Sequence, residues 1–113
     1  MTIDNIDYLA RCVEAEAENQ DAIGKMLVID VILNRLDSND FPNTVWDVIN
    51  QENQFKVVSN GYIWCVEPQD NTYNLINNEL INRYNDEVLY FRTEYYHDYT
   101  IPLFRHQDHY FSK

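Results

Sequence analysis

The chain has 113 residues, of which 45% are hydrophobic and 14% aromatic, a composition typical of one globular domain and not of a disordered segment. Its formal net charge of −11 argues against a surface for duplex nucleic acid or for anionic membranes, because both need clustered Lys and Arg. No stretch is long and apolar enough for a membrane span, and the opening MTIDNIDYLA lacks the basic region and apolar core of a secretory signal.

The cysteines and histidines do not suggest a metal centre. Cys12 and Cys65 form neither a zinc spacing nor a CxxC pair, and Cys12 falls in an apolar helical pattern, which predicts a buried free thiol. The three histidines, His97, His106 and His109, are dispersed along the chain. We therefore expect no metal and no other cofactor.

Apolar periodicity predicts two helices at the start of the chain. From residue 4 to residue 19 the apolar residues recur at the i, i+3, i+4, i+7 positions of an amphipathic helix. Asp21 is a suitable N-cap for a second helix over residues 22–36. The centre of that helix, MLVIDVIL, is apolar on nearly every side, so it should form the buried centre of the domain.

The remaining chain predicts shorter elements. Residues 42–43 introduce a short helix, TVWDVIN, and QENQFKVVSNG reads as an irregular loop or short hairpin with a turn at Asn60–Gly61. A further helix is expected over residues 70–84, and EVLYFRTEYY and HYF have the aromatic and β-branched content of strands. The apolar stripe predicted for that helix consists of Ile76, Leu80, Ile81 and Tyr84.

Three glutamates alternate in the first helix, and a helical wheel separates them. At about 100° per residue, Glu14 and Glu18 fall on the polar side near Arg11 and are predicted to face solvent. Arg11 has the spacing to pair with Asp7 or with Glu14. Glu16 instead falls inside the apolar stripe.

A carboxyl group on a core-facing stripe allows three interpretations. Glu16 marks a helix end where the stripe reaches the surface, or it accepts structural hydrogen bonds from a neighbouring segment. Alternatively, it is a carboxylic acid kept protonated by desolvation at the floor of a cleft, ready to donate a proton. Periodicity alone leaves all three open.

The order of several short motifs resembles the SleB/CwlJ family of cell-wall hydrolases. The motifs are LARCVEAEA, KMLVIDVILNRL, FPNTVWDVI, QF and NG, followed more weakly by VLYFRT and DHYF. The resemblance implies an α+β, predominantly helical, lysozyme-like domain with a small β-sheet, similar to lytic transglycosylases and goose lysozyme. One such domain would fill residues 1–113, with no wall-binding module.

The resemblance also implies an activity on peptidoglycan glycan strands. Family members cleave the β-1,4 bond between N-acetylmuramic acid and N-acetylglucosamine, and the essential glutamate in their AEA tripeptide matches Glu16. A single acid suits a lytic transglycosylase, which forms a 1,6-anhydro product. Hydrolysis would need a second carboxylate, for which Asp30 in the second helix is the candidate, although Asp30 is also interpretable as a structural acid.

The matching motifs nominate further residues around the substrate. They are Thr44, Gln54, Phe55, Tyr90, Phe91 and His109. Thr44 is as readily interpreted as a helix cap. Of the two strand aromatics, one is expected to face the core while the other supports a sugar ring.

Some features depart from the family pattern. Glu18, Asn19 and Gln20 replace an Arg-Gly-Glu turn, and Arg92 and Ser112 replace a histidine and a tyrosine. The acidic charge would also repel anionic wall polymers. Two non-enzymatic alternatives therefore stay open, an acidic mimic of nucleic acid and a structural relative that has lost catalysis. We expect a monomer that reaches the wall after release from the cytoplasm, as a phage lysin, a virion lysozyme or a spore-cortex enzyme.

Overall fold

Five α-helices and a three-stranded sheet make up the chain in a computed structural model, which describes residues 1–113 apart from the side chain of Ile3. The mainly helical α+β architecture predicted from the sequence is confirmed. The elements are α1 (Ile3–Ala17), α2 (Ala22–Asp37), α3 (Val45–Ile49), α4 (Lys56–Ser59), a 3₁₀ turn (Tyr62–Trp64), α5 (Asp70–Ile81), β1 (Tyr90–Thr93), β2 (Pro102–His106) and β3 (His109–Ser112).

The first two helices begin and pack as predicted. Thr2 caps α1 by accepting a hydrogen bond from the Asn5 N–H, and Asp21 caps α2 by accepting one from the Gly24 N–H at 2.7 Å. Helix α2 is buried almost continuously from Gly24 to Arg35, so it is the centre of the domain. Cys12 is a buried free thiol, as predicted, and Cys65 is a free exposed one.

Glu14 is buried, which corrects the prediction that it faces solvent. Its carboxylate pairs with the Lys25 ammonium group of α2 at 3.0 Å. It also accepts hydrogen bonds from the Gln69 N–H at 2.8 Å and from the Thr72 hydroxyl at 2.9 Å. Both Glu14 and Lys25 are about 5% exposed or less. The carboxylate therefore joins α1 to α2 and to the start of α5, contacts that lie far apart in sequence and leave no trace in a helical wheel.

The two other charges on the polar side of α1 agree better with the wheel. Arg11 pairs with Asp7 at 3.3 Å, as one of its two predicted pairings, whereas Glu14 binds Lys25 instead of Arg11. Glu18 is exposed, as predicted, and accepts a hydrogen bond from the Tyr62 hydroxyl at 2.6 Å.

Residues 51–61 form no hairpin, so that alternative is wrong. An irregular turn, in which Asn53 has a positive φ of 63°, leads into the short helix α4. Gly61 has a φ of 79°, a left-handed conformation that glycine adopts without a steric penalty. The predicted turn at Asn60–Gly61 is confirmed, and it connects α4 to the 3₁₀ turn.

Helix α5 presents a different face to the core from the one predicted. Of the predicted stripe only Ile76 is buried, whereas Leu80 is 39% exposed, Ile81 is 86% exposed and Tyr84 lies beyond the helix end. The buried face contains Thr72, Ile76 and Glu79. The error arises because two of the three buried side chains are polar and are stabilised by partners on other helices.

The small sheet has the strand order β1–β3–β2, and both pairs are antiparallel. The predicted strands in EVLYFRTEYY and HYF correspond to β1 and β3, while β2 was not predicted. Strand β1 ends before Glu94, whose φ is 77°. Phe111 in β3 is fully buried and opposite Phe91 in β1, and this pair seats the sheet on the helices.

Removing the buried carboxylate at position 14 should destabilise the fold strongly. We expect Glu14→Ala to lower the free energy of unfolding by about 3–5 kcal/mol, because the Lys25 ammonium group would stay buried without its partner. The measurement is urea unfolding at pH 7. The exposed neighbour provides the control, since Glu18→Ala should change the same quantity by no more than about 1 kcal/mol. Equal effects of the two substitutions would contradict the buried joint.

The Glu14–Lys25 pair should also make the free energy of unfolding depend on pH. Burial alone would raise the pKa of Glu14, but the donors at Gln69, Lys25 and Thr72 outweigh it and lower that pKa. Stability contributed by an acid with a lowered pKa is present above its ordinary value of 4.5 and is lost as the pH falls through the folded-state value.

Candidate active site

Glu16 lies near the end of α1 with its side chain partly buried, neither enclosed by the core nor free in solvent. Burial raises the pKa of Glu16 to about 7, and the backbone N–H of Val57 in α4 only partly opposes that rise. At neutral pH the carboxyl group is therefore protonated in a large fraction of molecules, and the residue is only partly buried. These are the two properties required of a group that donates a proton to a bound substrate.

Cys12 lies one helical turn before Glu16, and the charge of Glu16 affects the pKa of its thiol. The thiol is completely buried, and its pKa is raised well above the ordinary value, first by burial and then by the charge of Glu16. The guanidinium group of Arg35 acts in the opposite direction on the same thiol. Glu16 and Arg35 are thus both electrostatic neighbours of Cys12, although they lie on different helices.

Arg35 is a buried cation surrounded by aromatic rings, and the sequence analysis did not single it out. Its guanidinium carbon lies 5.1 Å from the ring centroid of Phe41, 5.5 Å from that of Phe55 and 5.3 Å from that of Tyr90. Its Nε donates to the Leu89 carbonyl at 2.8 Å, and burial lowers its pKa to about 10. Arg35 therefore connects α2 with three separate aromatic segments.

The two aromatic residues nominated on β1 have different neighbours, and only Tyr90 contacts the Arg35 cation. Phe91 packs against the core, with its ring centroid 5.9 Å from that of Phe111 and 6.1 Å from that of Phe55. Tyr90 contacts Phe41 and Tyr99 instead, at centroid distances of 5.9 and 5.7 Å. The prediction that one of the two faces the core is confirmed for Phe91, and support of a sugar ring by Tyr90 stays a prediction.

His109 is brought to the same cluster but is only 5% exposed. Its ring lies 4.9 Å from that of Phe91, and Nδ1 has no hydrogen-bond partner among the described residues. Burial lowers the pKa of His109, so the ring is neutral at neutral pH. Its role in substrate binding stays a prediction, and the small exposed area leaves little of the ring for direct contact.

Gln54 and Phe55 line an open depression of about 460 Å³ that is bounded by residues 50–56, 58 and 59. Phe55 is buried, so it forms the wall, while Gln54 is partly exposed. Glu16 does not line this depression, but Val57, whose backbone opposes the rise in the pKa of Glu16, lies within the same segment.

Thr44 is the N-cap of α3, and its hydroxyl oxygen accepts a hydrogen bond from the Asp47 N–H at 3.1 Å. The capping interpretation is confirmed. Thr44 is exposed, and its contact with substrate stays a prediction.

Asp30 lies on a different side of α2 and is completely buried. At about 100° per residue, Asp30 and Arg35 are separated by about 140° around the helix. Asp30 accepts a hydrogen bond from the Asn85 N–H at 3.0 Å. Burial, together with the hydrogen bond and charge of Glu79 on α5, raises the pKa of Asp30 to about 9. These contacts favour the structural interpretation of Asp30.

The segment that departs from the family pattern is tied to the β2–β3 turn. The Gln20 side-chain amide donates to Asp108 at 3.0 Å, and the Asp21 N–H donates to the Gln107 side chain at 2.8 Å. Asp21 also contacts His106 at 2.7 Å. Polar contacts therefore join residues 20–21 to residues 106–108 at this edge of the molecule.

Two further findings apply to the part of the chain that the structure describes. No group of three or more His, Cys, Asp or Glu side chains there has an arrangement able to hold a metal ion. No helix there is both long and apolar enough to cross a membrane.

Comparisons with known proteins link the chain to enzymes of the cell wall. The sequence pattern of the Cell Wall Hydrolase family matches residues 19–112, a range that starts after Glu16. A stretch of 66 residues is 42% identical to the spore cortex-lytic enzyme of Oceanobacillus iheyensis, and 60 residues are 38% identical to that of Bacillus cereus. These stretches cover 58% and 53% of this chain but only 24% and 23% of the relatives.

Solved structures share the fold along its full length. The catalytic domain of the germination-specific lytic transglycosylase SleB from Bacillus anthracis superimposes with a TM-score of 0.85 at 24% identity, covering 100% of this chain and 97% of that one. The SleB catalytic domain from Bacillus cereus gives a TM-score of 0.86, also at 24% identity, with coverage of 100% and 92%. The predicted resemblance is confirmed, and the predicted α+β fold with a small sheet is the fold of the SleB catalytic domains.

The structural role of Asp30 predicts that its removal will stabilise the protein at high pH. Because its pKa is raised from 3.8 to about 9, the folded state keeps a proton that the unfolded state releases, so stability falls as the pH rises between these values. Asp30→Asn removes this loss. Its advantage over the parent should grow by up to about 1.4 kcal/mol per pH unit within that window.

Chemical denaturation at several pH values from 4 to 9 measures this difference. Asp40→Asn, at an exposed position, serves as the control. A difference for Asp30→Asn that stays constant with pH would show that Asp30 is ionised in the folded protein.

Proposed function

Because this chain belongs to the Cell Wall Hydrolase family, we propose that it is a peptidoglycan-degrading glycosidase that cleaves the β-1,4 bond between N-acetylmuramic acid and N-acetylglucosamine. The observation that carries the proposal is Glu16, a partly exposed acid whose pKa is raised to about 7 by burial. Glycosidases need such an acid to protonate the leaving oxygen at neutral pH.

The mechanism that one such acid supports is lytic transglycosylation. Protonated Glu16 donates its proton to the glycosidic oxygen, the C1–O bond breaks, and positive charge develops at C1 of the muramoyl residue. The resulting carboxylate then removes the proton from the C6 hydroxyl of the same residue, and O6 bonds to C1. The product is a 1,6-anhydro-muropeptide, no water is consumed, and Glu16 is protonated again.

Hydrolysis is the alternative, and it requires a second carboxylate about 5–9.5 Å from the first. Asp30 was the candidate in the sequence. Its complete burial, its bond to the Asn85 N–H and its shared environment with Glu79 give it no access to a sugar. These contacts support transglycosylation over hydrolysis through Asp30.

The substrate is proposed to pass between the depression and the edge of β1. Gln54 would offer its amide to an acetamido group and Tyr90 would offer a ring face to a sugar, while Phe55 would form the buried wall of the site. Phe91, His109 and Thr44 would support this surface from behind or at its margin. Arg35 holds Phe55 and Tyr90 together, and its charge lowers the pKa of Cys12, which lies one helical turn before Glu16.

The relatives suggest which wall is attacked. The curated relatives are spore cortex-lytic enzymes, and the solved neighbour from Bacillus anthracis is germination-specific. Cortex and vegetative peptidoglycan share the bond that Glu16 would protonate, so both are proposed substrates. The enzyme would act as a monomer on the wall, after release from the cytoplasm.

Product analysis tests the catalytic role of Glu16. Purified vegetative peptidoglycan and spore cortex are incubated with the parent, with Glu16→Gln and with Asp30→Asn, and soluble fragments are identified by mass. We expect anhydro-muropeptides from the parent and from Asp30→Asn. A loss of about 10²–10⁴-fold is expected for Glu16→Gln, because the amide has no proton to give.

Other outcomes are equally informative. If the parent releases fragments with reducing ends and Asp30→Asn does not, the reaction is hydrolysis through Asp30 and not transglycosylation. A parent that releases nothing from either substrate would favour one of the non-enzymatic alternatives, and tight inhibition of a DNA-binding enzyme would identify the nucleic-acid mimic.

The pKa of Glu16 predicts the pH profile. Since the protonated acid is the active form, kcat/KM should fall as the pH rises above about 7, approaching a tenfold loss per pH unit. The assay needs constant ionic strength, because screening changes the repulsion between an acidic protein and an anionic polymer. A profile that stays flat from pH 6 to 9 would contradict Glu16 as the acid.

A stability measurement checks the same pKa without substrate. Because the pKa of Glu16 is raised in the folded state, the folded protein becomes less stable as the pH rises from the ordinary value of 4.5 through about 7. Glu16→Gln should therefore be more stable than the parent at pH 8 and gain little at pH 4.

A further inference from the structure

The two tryptophans of the chain form one exposed aromatic surface, which we call the tryptophan platform: Tyr8, Trp46 and Trp64. Trp46 stacks on Tyr8 with a centroid distance of 4.6 Å and an interplanar angle of 27°. Trp64 lies 5.6 Å from the same ring. Trp46 is 54% exposed and Trp64 is 61% exposed, whereas Tyr8 is buried between them.

The platform is held in place before any ligand arrives. The Tyr8 hydroxyl and the Asn50 side chain are linked by a hydrogen bond of 3.0 Å, and Asn50 also donates to the Trp46 carbonyl at 2.8 Å. Arg11 lies over the Trp64 ring at 6.0 Å. Aromatic side chains with few free torsions and fixed neighbours bind ligands at a low cost in conformational entropy.

The platform is continuous with the depression beside the candidate active site. Asn50 ends α3, touches both Tyr8 and Trp46, and is the first residue lining the depression that also contains Gln54 and Phe55. A chain-like ligand that occupies the depression is thereby led onto the tryptophans.

Charge decides what kind of ligand fits. With a net charge of −11, this protein repels an anionic polymer over long distances, so affinity for such a polymer must come from uncharged contacts. Exposed tryptophan faces supply such contacts, because the axial C–H groups of a pyranose ring stack on an indole. Clustered exposed aromatic residues of this kind mark binding surfaces in soluble proteins.

We propose that the tryptophan platform binds the glycan strand of the wall at sugars remote from the cleaved bond. The ligand class is a β-1,4-linked N-acetylhexosamine chain, recognised through its ring faces and not through its carboxylates. This inference rests on the proposed function, and it identifies how an acidic domain retains an acidic polymer.

The test uses Glu16→Gln, so that binding is measured without cleavage, and an N-acetylglucosamine hexamer as the probe. Because both tryptophans lie in the platform, intrinsic fluorescence reports its occupancy directly, and we expect a saturable change. Calorimetry then compares Glu16→Gln with the triple variant that also carries Trp46→Ala and Trp64→Ala. We expect Kd to rise about tenfold or more.

Tyr84→Ala in the same Glu16→Gln background is the matched control. Tyr84 is 57% exposed, comparable to the two tryptophans, but lies beyond α5. Its removal should leave Kd unchanged. Binding seen by calorimetry without any fluorescence change, or a Kd unaffected by loss of both tryptophans, would overturn the platform.

Sedimentation velocity addresses a second copy of the chain as the occupant. A parent that dimerises, and that becomes monomeric when both tryptophans are replaced by alanine, would assign the surface to self-association and overturn glycan binding. The two proposals fail separately. A parent that releases fragments while the platform variants keep full affinity refutes only the platform. A parent that binds the hexamer through the tryptophans but releases nothing refutes only the proposed reaction.

Discussion

The contact on which the structure depends most is the buried carboxylate of Glu14 with Lys25 and Thr72. It fixes three helices with one side chain, and by doing so it fixes the rotation of α1 about its axis. Glu14 and Glu16 are two residues apart and therefore about 200° apart around the helix. Once Glu14 is held against α2 and α5, Glu16 must point the other way, towards α4, where desolvation raises its pKa.

Two carboxyl groups with raised pKa values differ in their burial. Asp30 is sealed between α2 and α5 and shares its environment with Glu79, so its proton has a structural use. The pKa of Glu16 is raised less, and Glu16 is only partly buried. A perturbed pKa therefore indicates catalysis only when a substrate is able to reach the group. Because Glu16 is partly exposed and Asp30 is completely buried, this pair supports the proposed mechanism with a single acid.

Periodicity predicted the parts of the fold that depend on local sequence. A repeat of about 3.6 residues predicts helices α1 and α2, the buried Cys12 and the unusual position of Glu16. The Asp21 cap follows instead from the preference of Asp for the N-cap position. The errors arise where a distant segment decides. Glu14 is buried because its carboxylate pairs with Lys25 and accepts a hydrogen bond from Gln69. Helix α5 likewise buries polar residues whose partners lie on other helices. Arg35 escaped notice because its three aromatic neighbours come from separate segments.

The order of the strands has a consequence for how the protein folds during synthesis. Strand β3 lies between β1 and β2 although it is synthesised after both, so neither earlier strand finds its neighbour until residues 109–112 have left the ribosome. Tyr90 and Phe91 consequently pair in the sheet only after residues 109–112 have been synthesised. A nascent chain therefore contains the whole of α1, with Glu16 near its end, before the sheet that includes Tyr90 and Phe91 is able to form.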